Sequence, residues 1–342
     1  MSVFFGVFSP GGNLDQEAFD QMKSAIHREG YDELDTLIDN RIAMGHLMLR
    51  VTPESVYDKQ PLKSDCGRYI LTGHIRLDYR DELGDKIGLT QKQLQNTPDS
   101  LLVMKAYQKW RDKCVLHIEG DWSFVVYDKF YNTIFFAKDP TGISTLFYTV
   151  LNRGLFFSSD PSVFSKSEFF PLILNVDQFA FFSVAGLKID KGSTLLKDLK
   201  SLQNGFTINV NSSLQECQNQ FYDLGSVSEQ QVFRFDIDVA YDFKSIYLNA
   251  VKSRCRSLHE IGLFLSAGLD SMSVATISSF ELKKVDRKLN TFTSVPLQNS
   301  KLTDKEKEFA DESSLVKIFV GNKDNVQPGF FSFDDFKLSN ID

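Results

Sequence analysis

The sequence predicts two domains of different class. Residues 1–222 read as an α+β domain of antiparallel sheets with helices, and residues 234–342 as part of an α/β domain built on a parallel sheet. Three observations carry this. Short alternating apolar segments separated by turn residues fill the first part, as a meandering sheet requires. A polar stretch without periodicity, Asp223 to Gln231 (DLGSVSEQQ), marks a linker, taken as residues 223–233. After it, a buried strand, a small-residue loop and a helix follow one another, which is how a parallel α/β unit begins. The 342 residues suffice for about two domains.

In chain order, Val3 to Val7 reads as a strand running into a Pro-Gly-Gly turn, and Asp15 to Glu29 has helical spacing. Ile42 to Val51 and Tyr69 to Leu77 read as strands. Pro98 to Trp110 carries Leu101, Leu102, Met104, Ala106 and Tyr107 as an amphipathic helix with Asp99 at its start. Strands are expected at Trp122 to Tyr127, Thr133 to Ala137, Leu146 to Val150 and Leu155 to Ser158, then a short helix at Asp177 to Phe182 and a strand at Phe206 to Val210. The paired phenylalanines at 135–136, 156–157, 169–170 and 181–182 read as core. Beyond the linker, Phe243, Ile246, Tyr247, Ala250 and Val251 form one helical stripe. Ile261 to Leu265 is a fully apolar strand, Met272 to Lys284 a helix, Leu289 to Val295 a strand and Lys305 to Val320 a helix whose start (KEKE) is solvated.

Hydrophobic residues make up 42% of the chain and charged residues 24%, the balance of a soluble globular protein. The net charge of −7 has no block of like charges, which argues against nucleic acid as a partner. No apolar run reaches the roughly 18 residues of a membrane helix. The start MSVFFGVFSPGG lacks the basic leader of a signal peptide. Four scattered cysteines (Cys66, Cys114, Cys217, Cys255) without C-x-x-C spacing read as reduced thiols of a cytoplasmic protein, with no metal–thiolate site. His46, His74 and His117 stand alone in sequence and read as packing or surface residues.

The chemistry concentrates in Leu265 to Ser271 (LSAGLDS). A strand ends at Leu265 and a helix begins near Leu269. Small residues between them let backbone N–H groups approach an anion, and the helix N-terminus adds its positive dipole end. Ser266 and Ser271 add hydroxyl donors. Asp270 beside phosphate calls for a divalent cation such as Mg²⁺, held by a carboxylate plus phosphate oxygens. The plain alternative is a strand-to-helix turn with a capping Ser or Asp.

The loop SAGLDS is similar to the S-G-G-x-D-S pyrophosphate loop of ATP-pyrophosphatase enzymes, and its flanks resemble the asparagine synthetase superfamily, including β-lactam synthetases and lasso-peptide cyclases. Further segments resemble the superfamily in order: Gly73 to Leu83 (GHIRLDYRDEL), Gly120 to Asp128 (GDWSFVVYD), Phe136 to Gly142 with Leu146 to Tyr148, Thr291 to Ser294, and Asp311 with Glu312. The phrase AYQKW at Ala106 to Trp110 looks more like lasso-cyclase relatives than housekeeping synthetases. The resemblance implies a class II glutamine amidotransferase (Ntn-type) sandwich followed by an ATP-binding domain. It implies a carboxylate activated as an acyl-adenylate and captured by an amine. In that scheme Leu265 and Ser294 line the adenosine site by backbone contacts, Ser266, Ala267, Gly268, Leu269 and Ser271 surround the phosphates, and Asp270 holds Mg²⁺. The expected partner is a small-molecule or peptide carboxylate, with a homodimer or partner subunit as a further expectation.

Three departures qualify the match. The amidotransferase nucleophile is a cysteine at position 2, and this chain has Ser2, a weaker nucleophile at neutral pH. The G-H-R-R-L segment that holds the glutamine carboxylate reads Gly45 to Leu49 (GHLML), and the N-G-E segment reads Thr72 to His74 (TGH). Asp99 remains where the family holds the glutamine amine, and reads more simply as a helix N-cap. Ala267 replaces the loop's first glycine, so a methyl group crowds phosphate, or strains the backbone if φ must be positive. The family's second acidic motif and later lysine are missing, and the tail from Asn322 to Asp342 reads as a poor end for a parallel sheet. The chain is therefore expected to be a truncated product or fragment, with glutaminase lost and synthetase incomplete. Two other readings stay open: a non-catalytic paralogue that binds nucleotide or serves as a partner subunit, and an N-terminal serine hydrolase at Ser2.

Overall fold

The computed structural model describes residues 1–26, 29–151, 154–186, 192–229, 237–297, 303, 306 and 311–332. The chain divides into two compact units, Met1–Arg50 with Glu54–Val232, and Val51–Pro53 with Phe233–Asp342.

The first unit runs β1 (Val3–Phe8), α1 (Gln16–Ala25), β2 (Glu33–Asp39), β3 (Ile42–Met48), β4 (Leu62–Lys63), β5 (Tyr69–Asp78), α2 (Arg80–Ile87), α3 (Gln91–Leu94), α4 (Asp99–Trp110), β6 (Glu119–Asp128), β7 (Thr133–Lys138), β8 (Phe147–Leu151), β9 (Gly154–Ser158), α5 (Ser162–Lys166), α6 (Val176–Ala185), β10 (Lys200–Ser201), β11 (Phe206–Val210), β12 (Glu216–Gln220) and α7 (Leu224–Glu229). Two six-stranded sheets result, in the orders β10-β8-β9-β1-β3-β2 and β12-β11-β7-β6-β5-β4. All of their pairings are antiparallel.

Alternation along β1 shows how the layers form. Phe4 and Phe8 point between the sheets, where they pack with Met44, Ile70, Val125, Tyr127 and Phe136. Phe5 and Val7 point outward, against Phe19 and Met22 of α1 and Phe164 of α5. The outer face of the other sheet is covered by Leu102, Val103 and Ala106 of α4 and Leu83 of α2, around Trp122 and Phe124. Each fully buried aromatic side chain contributes roughly 2–3 kcal/mol by leaving water. The close pairing of β1 with β3 needs Gly45, because a Cβ there would lie 2.2 Å from Cζ of Phe5. The unit is thus a four-layer sandwich of antiparallel sheets between helices, as expected.

The second unit contains α8 (Ile237–Arg254), β13 (Ile261–Phe264), α9 (Leu269–Lys283), β14 (Leu289–Ser294), α10 (Ser313–Val320) and β15 (Val326–Phe331). Its sheet is parallel, in the order β13-β14-β15, with Ile261 opposite Leu289 and Leu289 opposite Val326. Leu265, Ala275, Leu282, Leu289, Val316, Val320 and Val326 form its core.

Several expectations are corrected. The tail read as a poor end for a sheet supplies β15, whose Pro328 is tolerated at a sheet edge. The polar linker contains α7 at 224–229, and its remainder from residue 230 lies outside the described residues. Phe181 and Phe182, expected in the core, are exposed on α6. Phe243 and Ile246 of the α8 stripe are also exposed, whereas Val251 is buried. Asp99 is not the cap of α4: Pro98 holds that position, with no side-chain cap bond. The KEKE start of the last expected helix falls largely outside the described residues, and the described helix there is α10.

Candidate functional site

Two places bring the predicted residues together, one in each unit. In the first unit, the inter-sheet layer turns from phenylalanine to polar residues at one end of the sandwich. Ser2 precedes β1 there, His46 lies on β3, Thr72 and His74 on β5, and Ser123 on β6. The Leu49 N–H donates to Ser2 Oγ at 3.0 Å, and the same hydroxyl faces the Leu49 carbonyl at 3.4 Å. His46 Nδ1 meets Thr72 Oγ1 at 3.2 Å, and Ser123 Oγ meets Ser144 Oγ at 2.5 Å. The segment carrying Ser144 is held by Asp139, whose carboxylate accepts from the Gly142 amide at 2.5 Å. Gly142 sits at φ 75°, a left-handed value that favours glycine.

A cavity of about 370 Å³ opens at this end, lined by Ser2, Tyr31, His74, Ser144, Thr145 and Asp160 among others. Burial pushes the His46 imidazole down to about 3, with the nearby His74 and Arg50 adding to the effect. Burial, then the positive chain terminus, lowers His74 to about 4, against the opposing pull of Asp121. Both rings are therefore neutral at pH 7. Their grouping with Ser2 is not visible in the sequence, because strand pairing creates it. His117 packs against Trp110 with the rings tilted by 34° and their centroids 4.1 Å apart.

Asp99, the predicted remnant of the glutamine site, is buried and committed elsewhere. Its carboxylate accepts from the Leu77 N–H at 2.9 Å and lies 3.1 Å from Nε of Arg80. Arg80 also pairs with Glu54 at 2.8 Å and donates to the carbonyls of Leu94 and Thr97. Sequence reasoning missed Arg80, which looks like an ordinary charge at the start of a helix.

In the second unit, β13 ends at Phe264 and α9 begins at Leu269, so Leu265 to Gly268 form the connecting loop. Gly268 is the N-cap, with φ −74° and ψ 151°. Leu265 and Ser294 lie at the carboxyl ends of adjacent parallel strands, where open α/β sheets bind ligands. The Leu265 carbonyl accepts from the Thr293 hydroxyl at 2.8 Å, and its N–H donates to the Phe292 carbonyl at 2.9 Å. Ser266 and Ser271 turn toward each other, their hydroxyls 2.9 Å apart, and the Ser266 N–H donates to Ser271 Oγ at 3.1 Å. The Ala267 N–H donates to Glu312 Oε2 at 3.1 Å, and the Gly268 N–H to Ser266 Oγ at 3.2 Å. Asp270 is exposed in the first turn of α9. Ala267 is not among the residues with positive φ, so the expected strain does not arise.

The glutamine amidotransferase domain family matches residues 1–222, nearly two thirds of the chain. The chain belongs to that family. A second match, to the asparagine synthase family over residues 243–319, contains the loop and identifies the asparagine synthetase superfamily. Asparagine synthetase [glutamine-hydrolyzing] 3 of Bacillus subtilis is 24% identical over 277 residues, covering 79% of this chain and 44% of that protein. Asparagine synthetase [glutamine-hydrolyzing] 2 of the same organism is 25% identical over 323 residues, covering 90% and 42%. The chain thus spans less than half the length of these relatives. Glutamine phosphoribosylpyrophosphate amidotransferase of B. subtilis, solved with ADP and GMP, superposes with a TM-score of 0.46 at 10% identity, covering 97% of this chain and 91% of that one.

Within this amidotransferase and synthase frame, Leu265 to Ser271 and Ser294 converge at one end of the parallel sheet. Ser2 and Asp99 belong to the first unit: Ser2 lines the cavity, and Asp99 is tied to Arg80. Among the described residues, no group of three or more His, Cys, Asp or Glu could hold a metal. No described helix is long and apolar enough to cross a membrane. None of the four cysteines forms a disulfide.

Proposed function

We propose that this chain carries the ATP-binding loop of an amide-forming enzyme of asparagine synthetase type, with its glutaminase lost. The observation that supports this most is the strand–loop–helix from Ile261 to Lys283, within the synthase match and at the carboxyl end of a parallel sheet. First-turn amides of a helix have no intrahelical partners. Those of Leu269, Asp270 and Ser271 therefore face an incoming anion at the positive end of α9. The exposed Asp270 carboxylate suits a hard cation bridging to phosphate, so the donor set fits Mg²⁺ together with pyrophosphate oxygens. When bound, the ion would neutralise charge on the departing pyrophosphate.

In this reading a carboxylate oxygen attacks the α-phosphorus of ATP and pyrophosphate leaves. An amine then displaces AMP from the acyl carbon, forming the amide and releasing a proton. Glutamine is not the amine source, because Ser2, Met48 and His74 stand where the resemblance expects the nucleophile, an arginine and a glutamate. The amine then comes from the substrate or from free ammonia, and the acyl partner is a small-molecule or peptide carboxylate. A second reading is a non-catalytic nucleotide binder or partner subunit. It is favoured by the inward turn of Ser266 and Ser271, which satisfies the loop without a ligand. Calorimetry with Mg²⁺-ATP on the full chain and on Asp270→Asn, followed by ATP–pyrophosphate exchange with candidate carboxylates, separates the readings. Metal-dependent binding with exchange supports the enzyme, and binding without exchange supports the second reading. Absence of binding ends the enzyme and the nucleotide binder alike and leaves only the partner subunit.

A further inference from the structure

The Ala267 amide lies in the middle of the loop, where a phosphate oxygen would be expected to accept its proton. It is already taken by Oε2 of Glu312, 45 residues away in sequence, at 3.1 Å. Glu312 heads α10, but its side chain makes no capping bond there. The neighbouring Asp311 carboxylate accepts from the Ser313 N–H at 2.9 Å instead. Glu312 is thus released from helix capping and reaches across to the loop. A carboxylate and a phosphate oxygen are equivalent acceptors for a backbone amide next to a helix N-terminus.

The rest of the loop matches an anion seat closed on itself. The Ser266 and Ser271 hydroxyls are paired, the Ser271 hydroxyl lies 2.9 Å from the Ser266 carbonyl, and the Gly268 amide donates to Ser266 Oγ. Asp270 adds a second negative charge on the first turn of α9. A polyphosphate entering without a cation would meet both carboxylates, so the arrangement disfavours bare anions.

We propose that Glu312 is a built-in stand-in for ligand phosphate, occupying the Ala267 amide and leaving it when a metal-charged pyrophosphate group binds. The inference rests on the nucleotide reading of the loop and adds a gate to it. Displacement of Glu312 also breaks the tie between the loop and the residue that heads α10.

The test is calorimetric titration of the full-length wild type, Glu312→Gln and Glu312→Ala with Mg²⁺-pyrophosphate. Glutamine keeps the shape and a neutral acceptor while removing the charge, and alanine removes the acceptor. Circular dichroism and thermal unfolding first establish that the variants are folded, and the near-isosteric glutamine carries the test if the alanine variant is not. The expected result is tighter binding by about tenfold for Glu312→Gln, the scale of one charge-assisted hydrogen bond, and at least as much for Glu312→Ala. Wild-type binding that is unchanged or weakened in Glu312→Gln overturns the stand-in while leaving the nucleotide reading intact. Such a result would make Glu312 a supporting ligand. Failure of all three proteins to bind overturns both.

Discussion

Nε of Arg80 lies 3.1 Å from the Asp99 carboxylate, and both side chains are almost wholly buried. The same guanidinium reaches Glu54 on one side and two backbone carbonyls on the other. One cation therefore ties α2, the start of α4 and the 3-10 turn at Pro53–Tyr57. Burying such charges is costly, and removing one partner of a buried pair leaves the others uncompensated.

Arg80→Met is therefore expected to destabilise the first unit by about 3 kcal/mol, the usual cost of breaking a buried ion pair. Urea unfolding measures it. Asp99→Asn in the Arg80→Met background should recover part of the loss, because it removes one stranded charge. Equal stability of wild type and Arg80→Met would show that the cluster is not a structural tie.

Ser2 gives a second prediction. Its hydroxyl is held by the Leu49 amide, and the adjoining Leu47 and Met48 are buried apolar side chains. A thiol at this position would still have Met48 where the resemblance expects the arginine that holds a glutamine carboxylate. Ser2→Cys is thus expected to release no ammonia from glutamine in a coupled assay, and a glutamine-analogue electrophile should leave wild-type Ser2 unlabelled in mass spectrometry. Stoichiometric labelling would instead revive an N-terminal hydrolase.

How much of this was legible follows from where each signal sits along the chain. The central strands β1, β3, β5, β6 and β7 were readable because their alternation is set by buried faces. The edge strands were not: β2 (ELDTLID) and β12 (ECQNQ) present mostly exposed side chains, so no apolar period marks them. The strand β15 was hidden by Pro328, which a sheet edge accommodates. The SAGLDS loop was legible because its donors are contiguous. The grouping of Ser2, His46 and His74 was not, since it depends on two sheets facing each other, and Glu312 reaches the loop only through the fold.

His46 and His74 make stability depend on pH. An unfolded imidazole titrates near 6.5, whereas burial lowers these to about 3 and about 4. The folded state thus binds fewer protons than the unfolded state between those values. Stability is fully present above pH 6.5 and falls as pH drops toward 4, by up to about 1.4 kcal/mol per pH unit for each ring. Urea midpoints between pH 7.5 and 4.5 test this. His74→Gln should flatten the slope, and an unchanged slope would mean that carboxylates alone govern acid unfolding.

Ala267 supplies the last prediction. A glycine at this position in related loops invites the idea that the methyl group cripples the site through strain. Strain of that kind requires a positive φ, and Ala267 has none. Replacing it with glycine removes no backbone penalty from the folded state and adds freedom to the unfolded chain, costing up to about 1 kcal/mol of stability. The amide that meets Glu312 is unchanged by the substitution. If binding is limited by Glu312, Ala267→Gly alone should shift Mg²⁺-pyrophosphate affinity by less than about threefold, well under 1 kcal/mol. Should the methyl group itself block phosphate, Ala267→Gly would raise affinity by far more than that with Glu312 still in place. Calorimetry on the single and double variants, Ala267→Gly with and without Glu312→Gln, therefore assigns the barrier to the methyl group or to the carboxylate.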